Sequence, residues 1–132
     1  MIFKIPVQTN QRTEMVDITG KVQDEVTGAG VKSGLVVVYV SHTTAAVTIN
    51  EGADPNVRTD IVETLNEIVP WKRSYRHMEG NSPAHIKATL VGSSETIMLE
   101  NGRLHLGQWQ HIFLCEFDGP RRRSVLVKIL PE

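Results

Sequence analysis

Two stretches of the 132-residue chain concentrate the groups able to do chemistry. One runs from Ser41-His42-Thr43-Thr44 to Asn50-Glu51-Gly52-Ala53-Asp54, the other from His77 through Gly80-Asn81-Ser82-Pro83 to His85. Neutral imidazole is the commonest metal ligand and also titrates near neutral pH. His77 and His85 are too far apart for the i, i+4 pairing of a helical zinc site, but a loop can fold both rings toward one point. With His42 arriving from a strand end they would make a three-histidine site with one open position. The same spacing fits surface histidines that hold no metal. Glu51 neither caps nor pairs at helical spacing and is free to act as a base or to supply ligand oxygens. Asp54 has an obvious task as a helix N-cap, and the amides at Asn56 and Val57 favour an anion.

Arginine supplies the complementary chemistry. Arg121-Arg122-Arg123 follows Asp118-Gly119-Pro120 and reads either as a solvated turn or as a phosphate grip, since guanidinium forks match phosphate oxygens in pairs. Lys72, Arg73 and Arg76 form a second basic cluster beside His77. Cys115, in an apolar run, reads as a small buried hydrophobe. His105 and His111 read as structural.

These residues need a scaffold, and the pattern supplies one. Ile2 to Thr9 alternates as a half-buried strand, and Glu14 to Ile18 is a second. Thr19 is placed to cap a helix carrying Val22 and Val26, stopped by Gly28 and Gly30. Leu35 to Val40 is the strongest strand, and its unbroken apolar character predicts burial on both faces. Thr43 to Asn50 continues extended, then Asp54-Pro55 starts a helix with Val57, Ile61, Leu65 and Ile68 on one face, ended by Pro70. Trp71 to Pro83 is irregular. Strands are expected at Ile86 to Val91, Thr96 to Leu99, Arg103 to Leu106, His111 to Phe117 and Ser124 to Leu130, with a hairpin at Asn101-Gly102. Two helices, with long runs of consecutive strands, predict a single α+β domain over residues 1–132 with a mainly antiparallel sheet.

Composition removes several classes. Fourteen basic against fifteen acidic residues give a formal net charge of −1, which argues against a nucleic-acid partner. The six-residue apolar run Leu35–Val40 is too short to span a bilayer, so no membrane partner is expected. A single cysteine excludes an internal disulfide and a multi-thiolate zinc site. With no basic-then-apolar leader at Met1 to Lys4, the expected location is the cytoplasm.

The motifs occur in one order: Ser41-His42-Thr43-Thr44-Ala45-Ala46, Asn50-Glu51-Gly52-Ala53-Asp54-Pro55, His77 to His85 around Gly80-Asn81, Gly107-Gln108-Trp109-Gln110, and Cys115 to Arg121. In this the chain resembles the YjbQ family, associated with a secondary thiamine-phosphate synthase activity, over nearly its whole length. The resemblance implies two helices on a curved, mainly antiparallel mixed sheet, and a homotrimer with sites near subunit boundaries. It also implies an enzyme joining a pyrimidine pyrophosphate to a thiazole phosphate. Under it, His42, His77 and His85 match positions used for a divalent metal (zinc or magnesium) or for phosphate. Glu51, Asp54 and His77 match the catalytic positions, and Asn50, Asn81 and Arg121 those binding the phosphorylated substrate. Gln108 stands where the family has threonine, and Asn56 where it has aspartate, which removes one ligand carboxylate. The alternative is a non-catalytic trimer that sequesters a phosphorylated metabolite or a metal.

Overall fold

The structure, a computed structural model, describes residues 1–132. Eight strands and three helices follow in the order β1 (Ile2–Gln8), β2 (Glu14–Asp17), α1 (Thr19–Ala29), β3 (Gly34–Tyr39), β4 (Ala45–Glu51), α2 (Pro55–Ile68), α3 (Ser82–Val91), β5 (Ser94–Glu100), β6 (Arg103–Leu104), β7 (Gln110–Glu116) and β8 (Arg122–Pro131). Every strand pairing is antiparallel. The strands form two sheets, a five-stranded part, β1-β8-β3-β5-β6, and a three-stranded part, β2-β7-β4. The expected α+β domain is present, but with three helices and no parallel pairing.

The three-stranded part is the middle layer, because successive side chains on a strand point to opposite faces. Ala45 and Val47 of β4, with Ile112 and Leu114 of β7, enter a 16-residue core shared with α1 and the five-stranded part. Their neighbours Ala46, Phe113 and Cys115 face the other way, into a cluster covered by α2 and α3. Hence every residue from Ile112 to Phe117 is buried. Leu35–Val40 behaves differently from expectation: Leu35 and Tyr39 are each 44% exposed. No helix covers the outer face of the five-stranded part, so β3 is buried on one side only.

Local signals explain most elements. Asp54 caps α2, its Oδ1 accepting from the Asn56 N–H at 2.9 Å, with Pro55 pre-set for the first turn. At Asn101-Gly102 both residues have positive φ (53° and 76°), the backbone of a tight primed hairpin turn. Two expectations fail. Thr19 does not cap α1: Ile18 holds the cap position, and the Thr19 hydroxyl donates to Asp17 and accepts from the Ile112 N–H. Ile86–Val91 is helix, not strand. Pro83 sits in the first turn of α3, and Ala84, Ala88 and Val91 recur at helical spacing against the middle layer. That packing outweighs the strand preference of Ile86, Thr89 and Val91.

Candidate functional site

His42 lies just beyond β3, where Val40 N–H donates to the Ser93 carbonyl and draws the two segments together. Its ring is held from behind: Nε2 accepts from the backbone N–H of Ser124 at 3.0 Å. Ser124 is fixed in turn by its neighbour. The Arg123 guanidinium is buried and grips the buried Glu116 carboxylate through Nε (2.9 Å) and Nη2, and it also donates to the Thr44 carbonyl and hydroxyl. The Thr9 hydroxyl (2.7 Å) and the Asp118 N–H (3.0 Å) complete the Glu116 shell. Burial alone would raise the Glu116 carboxyl, yet the hydrogen bonds from Arg123, Thr9 and Asp118 hold it below its ordinary value. Burial, and then the charge of Arg123, hold the His42 pKa below that of free imidazole. Gly119 is required beside this network, since a Cβ there would stand 2.3 Å from the Gln11 carbonyl oxygen and 2.8 Å from Glu116 Cγ.

His85, one turn into α3, faces His42 across a cleft of about 390 Å³ that also receives Thr43, Thr89 and Ser93. Its other side meets His77 edge to face, with ring centroids 5.3 Å apart, in an adjoining depression with Tyr75 and Arg76. The three histidines therefore gather along one edge with His85 in the middle. They do not form a ligand set, and no group of three His, Cys, Asp or Glu side chains is spaced to hold a metal ion. His42 itself does not fit one. A metal needs a ring nitrogen lone pair, and the Nε2 lone pair is already engaged by Ser124.

At the start of α3, Asn81 Nδ2 donates to Asp118 Oδ2 at 2.9 Å, leaving Asn81 Oδ1 buried without a partner. Arg121 donates to the same carboxylate at 3.1 Å and to the Asp118 carbonyl at 2.8 Å, and its side chain is half exposed. These two expected phosphate contacts are thus neighbours, one helical turn from His85.

The expected carboxylates lie elsewhere. The seven residues of β4 put Glu51 about 20 Å along the strand from Ala45 and the histidine cleft. Glu51 has a local task that its spacing did not reveal: its Oε2 accepts from the N–H groups of Ala53 (2.7 Å) and Asp54 (3.3 Å). Asn50 and Glu51 line a separate depression with Trp109 and Gln110. Within the chain Asn50, Glu51 and Asp54 do not meet the histidines. The largest cleft, about 540 Å³, is at the opposite end of β3 from His42, beside Ser33, Glu100, His105 and Glu132. His111 pairs with Asp17 at 2.6 Å, and the buried Cys115 thiol is pushed up to about 12 by burial, which leaves it inert.

Sequence reasoning missed Glu116 and Arg123. As a solvated turn or as a phosphate grip the triple arginine reads as one unit, whereas Arg122 is exposed, Arg121 half exposed and Arg123 only 3% exposed. The available signal was Glu116 standing inside the otherwise apolar run Ile112–Phe117.

Comparison with known proteins agrees with this geometry at the level of fold and family. A family model described as UPF0047 protein YjbQ-like matches residues 3–132. A UPF0047 protein of Methanocaldococcus jannaschii is 51% identical over 98% of this chain and 94% of its own length. The UPF0047 protein YugU of Bacillus subtilis is 46% identical over 98% and 99%. Among solved structures, an uncharacterized YjbQ/UPF0047 protein of Clostridium acetobutylicum superposes with a TM-score of 0.95 at 49% identity, covering 97% of this chain and 99% of that one. A hypothetical protein of Aeropyrum pernix does so at 0.95 and 41%, covering 100% and 99%. An α+β fold shared along essentially the whole chain, with identities of 41–51%, places this protein in the YjbQ-like UPF0047 family.

Proposed function

We propose that the protein is a cytoplasmic enzyme that binds a phosphorylated small molecule in the His42–His85 cleft and joins a pyrimidine pyrophosphate to a thiazole phosphate. One observation carries the binding half of this reading. The cleft is lined by two imidazoles, by the hydroxyls of Thr43 and Ser93 and by no carboxylate, while the Thr89 hydroxyl donates to the His85 carbonyl. Such a lining offers donors without anionic repulsion, as phosphate oxygens require. The reaction class rests on the family resemblance.

In the reaction the carbon–oxygen bond to pyrophosphate breaks, the thiazole nitrogen bonds to that carbon, and pyrophosphate leaves with the electron pair. The chain's task is to stabilise charge gathering on the departing oxygens with donors already in place. His42, His77 and His85 stand along that edge, and the half-exposed Arg121 nearby would hold the second phosphate, with Asn81 positioning the Asp118 carboxylate that Arg121 grips. The zinc or magnesium implied by the resemblance is not needed for any of these contacts. Incubating purified protein with both substrates tests the reading. Condensation product is expected, and absence of both product and pyrophosphate binding overturns it.

A second observation favours a non-catalytic binding protein. Glu51 and Asp54 are engaged by backbone amides and lie far along β4, so the cleft of one protomer holds no carboxylate base. Tight pyrophosphate binding without product would select this reading. For both, we propose a homotrimer joined through the open face of the five-stranded part, where Ile2, Leu35, Tyr39, Met98 and Leu130 are exposed. Apolar faces of this kind mark association sites. Sedimentation of Leu35→Glu as a monomer, against a trimeric wild type, is the expected result.

A further inference from the structure

We infer that His42 is held as the Nδ1–H tautomer and serves as a fixed hydrogen-bond donor to a ligand oxyanion, not as a metal ligand. The inference rests on the reading of the His42–His85 cleft as a phosphate site. It follows from a chain of contacts on the far side of the ring. The Ser124 N–H can only donate, so the Nε2 it meets at 3.0 Å must offer a lone pair. A neutral imidazole has one N–H and one acceptor, which leaves the proton on Nδ1.

The Ser124 amide is not free to turn away. Arg123 is buried and committed to Glu116 and to both the carbonyl and hydroxyl of Thr44, two residues after His42. One buried pair therefore anchors both the donor of the contact, through Ser124, and the segment that carries its acceptor. Glu116, Arg123 and Ser124 are positioning residues. Thr43 and Ser93 share the cleft with His42 and are free to add donors to the same oxyanion. Burial, and then the positive charge of Arg123, hold the His42 pKa below that of free imidazole, which favours the neutral ring that donates through a single N–H.

Two measurements test this on the intact protein. Long-range proton–nitrogen correlation of the His42 ring above pH 7 reads the tautomer directly, and Nδ1–H is expected with no change on adding zinc. Inorganic pyrophosphate binding is then compared in two variants. The amide nitrogen of asparagine falls near Nδ1, and the amide end of glutamine falls near Nε2. His42→Asn is expected to keep affinity within about threefold, whereas His42→Gln keeps the acceptor for Ser124 but loses affinity roughly tenfold, as expected for one lost donor. A merely structural histidine would show the reverse order or no difference, and either result overturns the inference. So does an Nε2–H tautomer, or a zinc-induced shift of the His42 ring. If wild type shows the Nδ1–H tautomer but does not bind pyrophosphate, the phosphate reading of the cleft fails and the donor role fails with it. An Nε2–H tautomer in a protein that binds pyrophosphate removes the inference alone.

Discussion

The two ends of β4 carry similar residue types and use them in opposite ways. At the Ala45 end, Glu116 and Arg123 are buried against each other and fix His42 through one backbone amide. At the Glu51 end, Glu51 and Asp54 lie near solvent and bind backbone amides of the turn that starts α2. A carboxylate in water can organise a turn at little cost. The same carboxylate under the sheet must have its ion partner and every oxygen satisfied, because desolvation is otherwise too costly. Burial, more than residue type, separates the end that shapes the histidine cleft from the end that shapes a loop.

The largest effect should come from breaking the buried end. Glu116→Ala leaves Arg123 buried and unpaired, and urea unfolding should show a loss of about 3–5 kcal/mol. A loss below about 1 kcal/mol would mean that the pair does not hold this end together. Asp54→Ala at the other end removes only a cap and should cost about 1 kcal/mol, with pyrophosphate binding unchanged. A comparable loss at both ends would erase the contrast.

The pH dependence sharpens it further. Glu116 titrates below its ordinary value of 4.5 in the folded protein, so its stabilisation is complete above that pH and is lost as pH falls through the folded value. Glu116→Gln should flatten this acid limb of the stability curve, read by urea unfolding across pH. The smallest expected effects are nulls. Chelator treatment should leave pyrophosphate binding intact, and Cys115 should resist alkylation near pH 8 until the chain unfolds, given a thiol pushed up to about 12.

What the sequence revealed follows from how local each cause is. The alternation of β1 and the Asp54-Pro55 start of α2 are written into adjacent residues, and both were legible. The helix at Ser82–Val91 was not, because its β-branched residues argue for a strand until Ala84, Ala88 and Val91 are seen packed on the middle layer. The open face of β3 could not be inferred either, since it depends on which surface lacks a covering helix. The same holds for the site. His42, His77 and His85 were recognisable by type and do gather at one edge, and Asn81 and Arg121 do meet at Asp118. The Glu116–Arg123 pair was hidden, because it exists only once the chain returns at Gly119-Pro120 and brings β8 under cover.

The middle position of β7 has a consequence for motion. It is hydrogen-bonded to β2 on one edge and β4 on the other, and it is covered on both faces. Its amides have no small fluctuation that exposes them to water, so they should exchange with deuterium only through whole-molecule opening and mark the slowest-exchanging unit. Glu116, the last residue of β7, then ties His42 to this strand through Arg123 and Ser124. The histidine edge would inherit its rigidity from the last part of the molecule to open.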